Sequence, residues 1–488
     1  MQEGVEMSQP SVKKNYTYSL LYQILTMIIP FITAPYVARV LGADGVGIYS
    51  YTQSYMTYFT LIAALGTSSY GMREIARCRN DKNEYSKKFW EIELLTILTT
   101  AICLIVWLIL ILFSTKYKIY FIALIPSLLA TMFDISWFYT GHERIAYTVI
   151  WNAICKIIGV VCIFLFVKSK NDLVLYILLN SLVLMIGNLS MWVFLPKMLV
   201  KINPRTFELK KHFKETLIYF IPTIATTIYT VLDKTLIGAI THDNYQNGYY
   251  EQATKIINMA KTAVFVAVNS VMSARISFLF AEKRIQEIKS RIEKSMNFIL
   301  LLGFAATFGI ISVAKDFVPL FFGEGYEPVV GLLYWMSPLI LIIGVSNCLG
   351  AQYYTPAGLR TQSSKYIITG SIINLVMNLF FIPKFAATGA VIGSIIAEMT
   401  ITILYYVNCN GYLNFKALLK CCYKRLCAGI FMLIVVKFVS HCGLIGIYLL
   451  LTEIIVGAVV YFLCLGLLKD EFVEDAFLML KRRVHKND

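Results

Sequence analysis

The sequence predicts an all-α integral membrane protein of about fourteen transmembrane helices, built as two pseudo-symmetric six-helix bundles plus two extra C-terminal helices. Three observations predict it: apolar runs of about twenty residues, a lopsided division of lysine and arginine between alternate loops, and an internal repeat. The chain of 488 residues is 58% hydrophobic and only 15% charged, where a soluble protein carries about 25% charged residues. Each apolar run is long enough to cross a hydrocarbon core of about 30 Å as a helix, which satisfies its own backbone there.

Taken in order, residues 1–15 form a cytoplasmic N-terminal segment with acids and a proline but no apolar stretch of the signal-peptide kind. The first span, near 16–40, then acts as an uncleaved insertion signal. An N-terminal bundle of six helices occupies 16–195, with spans near 16–40, 48–70, 90–114, 119–140, 147–167 and 173–195. A cytoplasmic basic linker, 196–216, leads to a second bundle at 217–407, with spans near 217–240, 250–274, 295–314, 329–353, 366–383 and 386–407. A basic cytoplasmic loop at 408–425 precedes helices 13 and 14 within 426–468, and 469–488 is a cytoplasmic tail. The stretch 276–294, with Ile285, Ile288 and Ile292 at helical spacing among charges, predicts an interfacial amphipathic helix. The tail, with Phe472, Phe477 and Leu480, repeats that pattern. Pro30, Pro35, Pro126, Pro222 and Pro338 are the expected bends.

With the N-terminus inside, the inner segments hold 32 lysines and arginines and the outer loops six. That split orients the chain with both termini cytoplasmic. The net charge of +15 is thus mostly topology: it points to anionic lipid at the inner surface, not to nucleic acid. The outer loops are too short for a catalytic domain, and the five histidines and eleven cysteines form no metal or redox motif.

The repeat appears twice. RVLGADGVGIYSYTQSYM at 39–56 echoes TLIGAITHDNYQNGYYEQATKII at 235–257, and WFYTGHER at 137–144 echoes QYYTPAGLR at 352–360. Six helices per half insert in the same sense, so the pseudo-symmetry axis runs along the membrane normal and the substrate path is expected between the halves.

At these residues, together with GMREIAR at 71–77, the chain resembles an oligosaccharide flippase of the Wzx type, in the multidrug/oligosaccharidyl-lipid/polysaccharide exporter superfamily. The resemblance covers nearly the whole chain. It implies a transporter, not an enzyme, carrying an undecaprenyl-diphosphate-linked oligosaccharide repeat unit from the cytoplasmic to the outer leaflet of the bacterial inner membrane. It implies alternating access around a cation-lined cavity, in capsule or O-antigen-type polysaccharide synthesis, with a polysaccharide polymerase and other assembly proteins as partners. No cofactor is implied; proton, sodium or membrane potential are the candidate coupling forces.

A charge at a helix centre costs roughly 2.5–3.5 kcal/mol on insertion scales, so each needs a reason. Lys261 lies about 16 Å into its expected span at 1.5 Å per residue. Lys261, Lys255, Lys234 and Arg39 are the candidate donors to the diphosphate, since lysine and arginine replace water around phosphate oxygens. The competing reading is internal pairing: Glu251 precedes Lys255 by one helical turn, and Asp233 adjoins Lys234. Asp233, Asp134 and Glu398 are candidate coupling or pairing carboxylates, with Asp134–Lys156 and Lys437–Glu453 as structural pairs. Tyr49, Gln53, Tyr250 and Gln252 are candidate sugar contacts, beside a reading of plain packing. Three alternatives share much of this pattern: a lipid II flippase, a multidrug exporter of the same superfamily, and a membrane polysaccharide polymerase. The multidrug exporter favours acidic cavity residues, and the polymerase needs a large outer loop that this chain lacks.

Overall fold

The computed structural model describes residues 12–474, all regular structure there being helical. The expected amphipathic tail beyond residue 474 lies outside the described residues, as does the side chain of Pro222. Two compact units divide the chain, residues 1–235 and 236–488. The first holds α1 (Val12–Ala64), α2 (Thr67–Cys78), α3 (Lys82–Phe113), α4 (Lys118–Ala123), α5 (Ile125–Met132), α6 (Ser136–Gly141), α7 (Ile145–Phe166), α8 (Leu173–Ser190), α9 (Leu195–Met198) and most of α10 (Leu209–Thr241). The second holds α11 (Asn244–Lys261), α12 (Ala267–Ala281), α13 (Ile285–Phe322), α14 (Glu327–Met336), α15 (Leu339–Leu349), α16 (Arg360–Val407), α17 (Phe415–Val439) and α18 (Gly446–Leu467).

Among the described residues, eight helical runs are long and apolar enough to cross a membrane, or nine if the bent pair α14–α15 is one span. Two of these runs are far longer than one crossing requires. The run Leu20–Cys78 covers 59 residues and Arg360–Val407 covers 48, against about 20 for a single span. Each contains a residue that turns the chain: Gly42 at φ 69° in α1 and Ala386 at φ 48° in α16. Glycine adopts the left-handed region without a Cβ clash, so the Leu-Gly-Ala step marks a turn in the first copy of the repeat. In the second copy α10 runs on through Gly238 and the chain turns at His242, φ 54°.

The prolines divide into two kinds. Pro126 sits in the first turn of α5 and Pro338 caps α15, so each opens a new helix within its span. The α14–α15 break bends by 41°. Pro30 and Pro35 instead lie within α1, whose departure from helical dihedrals is at Gly42.

The second echo survives as hydrogen bonds. After α6, the amides of His142, Glu143 and Arg144 donate to the carbonyls of Phe138, Thr140 and Tyr139. After residues 350–354, the amides of Ala357, Gly358 and Leu359 donate to Tyr353, Thr355 and Tyr354 in the same order. The left-handed residue is Glu143 (φ 60°) in one and Gly358 (φ 76°) in the other. This is a Schellman-type helix end, which satisfies carbonyls that have no intrahelical partner.

One expectation is corrected. The stretch 276–294 is no separate interfacial helix: α12 ends at Ala281, Lys283 turns the chain at φ 57°, and α13 begins at Ile285. Ile288 and Ile292 are buried within the unit. The charges that suggested a surface helix gather on Glu287, which takes Arg275, Arg284 and Arg291.

Packing in the first unit is aromatic. Phe89 stacks on Trp137 with centroids 5.5 Å apart and meets Phe138 edge-on at 5.0 Å. Gly71 makes room for this cluster, since a Cβ there would lie 2.4 Å from the Trp137 ring.

Candidate functional site

The first unit contains a half-open cavity of about 320 Å³ lined by α1, α5, α7 and α8. Its wall is polar for a membrane helix bundle: Lys156, Asn152, Asn180 and Gln53 contribute a cation and three carboxamides, and Tyr49 and Tyr176 contribute rings. Tyr49 and Tyr176 meet edge to face at 5.1 Å. Asn180 donates to the Tyr176 carbonyl at 2.8 Å, a bond one helical turn back. Gly159 permits close approach of α7 to α8, because a Cβ would lie 2.6 Å from Val183. Two of the four expected sugar contacts, Tyr49 and Gln53, therefore share one cavity.

The other two are on α11. Tyr250 is buried on α11, and Gln252 is fully buried beside the Tyr326 hydroxyl. Both are packed inside the second unit, the reading that competed with sugar contact.

The four expected phosphate donors have different surroundings. Lys261 is half-buried and ends α11, immediately before a π-turn at Thr262–Val266. Such wide turns recur at functional positions in helices. It stands near the middle of the helical run 244–281, about 26 Å from its start at 1.5 Å per residue. The Glu398 carboxylate on α16, itself buried, acts on it electrostatically. Lys255 pairs with Glu251 at 3.6 Å, the turn-spaced ion pair anticipated as its alternative. Lys234, Asp233 and Arg39 all interact with other groups of the chain. Asp233 is buried in α10 near the Tyr58 hydroxyl. There Tyr58 meets Thr235 at 3.0 Å, and Thr235 donates to Ser54 at 2.9 Å.

The proposed structural pairs are rearranged. Lys156 makes no ion pair with Asp134; its ammonium sits 4.8 Å from the centre of the Tyr22 ring and faces the cavity. Asp134 instead accepts from the Ser136 amide at 3.0 Å, at the start of α6, and lies within electrostatic reach of Glu93. Glu93 is fully buried and neither carboxyl oxygen meets a hydrogen-bond donor. Glu453 likewise buries both oxygens without a donor, with Asp316 rather than Lys437 as its charged neighbour.

Sequence reasoning passed over His212 as a loop residue. In the structure it is buried at the start of α10. The Tyr70 hydroxyl donates to Nδ1 at 2.7 Å, while Nε2 donates to Glu91 Oε2 at 2.9 Å. Glu91 Oε1 accepts from the Glu208 amide at 2.8 Å. The set ties α2 and α3 to the linker end of α10. No spacing rule brings residues 70, 91 and 212 together, so only a structure reveals it. His142 is held differently. Its Nδ1 donates to the Phe138 carbonyl at 2.9 Å, and burial among Tyr85 and Phe138 pushes its pKa below the usual histidine range. Among the described residues, no group of three or more His, Cys, Asp or Glu is placed to hold a metal.

Comparisons with known proteins fit this architecture. Residues 12–279 match the polysaccharide biosynthesis protein family. A putative O-antigen transporter of Escherichia coli K12 is 22% identical over 399 residues, spanning 81% of this chain and 95% of that protein. A probable low-salt glycan biosynthesis flippase of Haloferax volcanii is 23% identical over 57% of each chain. Among solved structures, an inward closed conformation of the lipid II flippase MurJ superposes with a TM-score of 0.74. It is 16% identical and covers 93% of this chain and all of that one. At that identity the likeness is one of fold.

Proposed function

The chain belongs to the polysaccharide biosynthesis protein family, and from that premise we propose that it is a flippase for a lipid-linked oligosaccharide. In this reading an undecaprenyl-diphosphate-linked repeat unit passes from the cytoplasmic to the outer leaflet by alternating access, for capsule or O-antigen-type polysaccharide. The observation that carries the reading is the near-full-length likeness to a putative O-antigen transporter. The 32-to-6 charge split supports cytoplasmic termini and an inner-leaflet start.

The physical problem is the diphosphate, whose charge must cross a low-dielectric layer with its water replaced by protein donors. Lys261 is the residue we assign to it: a half-buried cation in mid-helix beside a π-turn, with Glu398 as its resting counter-charge. Exchange of Glu398 for a phosphate oxygen keeps the ammonium paired in both states. Lys255 is the weaker candidate because Glu251 already occupies it. Glu398, Asp233 and Asp134 remain the carboxylates through which a proton or sodium gradient acts in this proposal, and polysaccharide polymerase is the expected downstream partner.

Deletion of the gene tests the reading. Lipid-linked oligosaccharide should accumulate on the cytoplasmic face, and Lys261→Glu at normal protein level should fail to relieve it. Unpolymerised units on the outer face would indicate a polymerase instead, and accumulation of a peptide-bearing lipid would indicate lipid II as cargo.

A further inference from the structure

The cavity of the first unit places a single lysine among carboxamides and aromatic rings. Lys156 sits near the middle of α7, about 16 Å from Ile145 and about 15 Å from Phe166. At that depth its ammonium does not easily reach either surface, so its charge is satisfied in place or not at all. Among the described residues no carboxylate pairs with it; its recorded contact is the face of Tyr22. Among the described residues no acidic side chain lines the cavity. The wall therefore offers one positive charge, with carboxamides from Asn152, Asn180 and Gln53 that both donate and accept. Tyr49 and Tyr176 add aromatic edges.

We propose that this cavity receives an acidic sugar of the transported oligosaccharide, with the sugar carboxylate on Lys156, its hydroxyls on the three carboxamides and its ring against the tyrosines. The proposal rests on the flippase reading and narrows its substrate class to repeat units that contain a uronic acid or another carboxylate-bearing sugar. A volume of about 320 Å³ lies at the small end of ligand sites, roughly 300–1,000 Å³. That suits one or two sugar rings. A single ammonium matches the single charge of a carboxylate. The carboxamides make the site more than an ion pair, because each can donate to and accept from sugar hydroxyls.

The experiment uses the purified full-length chain in lipid nanodiscs, titrated separately with glucuronate, glucose and inorganic phosphate while its unfolding temperature is followed. Glucuronate should raise that temperature, glucose should do so only weakly, and phosphate should not. Lys156→Met should weaken the glucuronate response about tenfold or more, as loss of one charge-assisted contact implies, while Lys156→Arg retains part of it. Asn180→Ala should weaken glucuronate and glucose alike. A phosphate response equal to that of glucuronate, lost in Lys156→Met, would make the cavity a phosphate subsite and overturn the proposal. A glucuronate response unaltered by Lys156→Met, or no response in the intact protein, would overturn it as well. In cells, normal export by Lys156→Met also rejects the acidic-sugar site yet leaves the flippase reading intact. That reading fails separately, if the deletion strain accumulates no lipid-linked oligosaccharide.

Discussion

Replacing His212 by alanine removes the one side chain that joins Tyr70 to Glu91. Oε1 of Glu91 keeps its bond from the Glu208 amide at 2.8 Å, but Oε2 loses its donor at 2.9 Å in a site where Glu91 is 3% exposed. The lost bond to a charged group contributes about 1.5–3 kcal/mol. Lys87, 3.8 Å from Oε1, stays as the carboxylate's counter-charge, so the loss is that of one buried hydrogen bond. For a unit of roughly this size, 1 kcal/mol shifts the midpoint by about 2–4 °C. His212→Ala should therefore lower the unfolding temperature of the detergent-solubilised chain by about 3–12 °C, read as loss of the monodisperse peak after heating. His212→Gln, whose amide donates to one partner at a time, should fall between alanine and the native residue. A double-mutant cycle with Glu91→Gln should show coupling of about 0.5–3 kcal/mol. An alanine variant within about 2 °C of the native chain, or strict additivity in the cycle, would refute the assignment of stability to this buried set.

Three further predictions concern packing, backbone and protonation. Gly71→Ala should destabilise by about 1–3 kcal/mol, because its Cβ would press on the rigid Trp137 ring at 2.4 Å; unchanged thermal stability would show that the ring yields. Lys283→Gly relieves a left-handed residue between α12 and α13 and should stabilise by about 1 kcal/mol, visible as a small rise in unfolding temperature. His142 has a folded pKa below its unfolded value, so its contribution is fully present above the unfolded value, about 6.5. That contribution is lost as pH falls through the folded value. Unfolding temperature should drop more steeply on acidification in the native chain than in His142→Gln, and equal slopes would remove His142 from the pH dependence.

Much of the fold was legible because a membrane imposes strong rules on sequence. Length and apolarity identify spans, and the Leu-Gly-Ala step located the turn at Gly42 before any coordinates did. The echo between WFYTGHER and QYYTPAGLR proved to be a shared backbone hydrogen-bond pattern, with Glu143 and Gly358 in equivalent conformations. The misread stretch at 276–294 shows the limit: Ile288 and Ile292 have the same spacing whether a helix lies on the membrane surface or stands on end within a bundle. Site chemistry was less legible. Turn spacing found Glu251–Lys255, since both residues lie on one helix. Pairings between helices were assigned wrongly at Lys156–Asp134 and Lys437–Glu453, because depth along a span says nothing about which face a side chain occupies. His212 gave no signal, as its partners Tyr70 and Glu91 come from distant segments.

The central claim is that the chain moves a lipid-linked oligosaccharide across a bilayer. Reconstitution into liposomes carrying a labelled undecaprenyl-diphosphate oligosaccharide measures this most directly, with an impermeant reagent that destroys exposed glycan and with ion gradients imposed in either direction. The native chain should render the inner-leaflet pool accessible far faster than protein-free liposomes, and Lys261→Glu should not. Equal rates with and without the native chain, under every gradient, would contradict it.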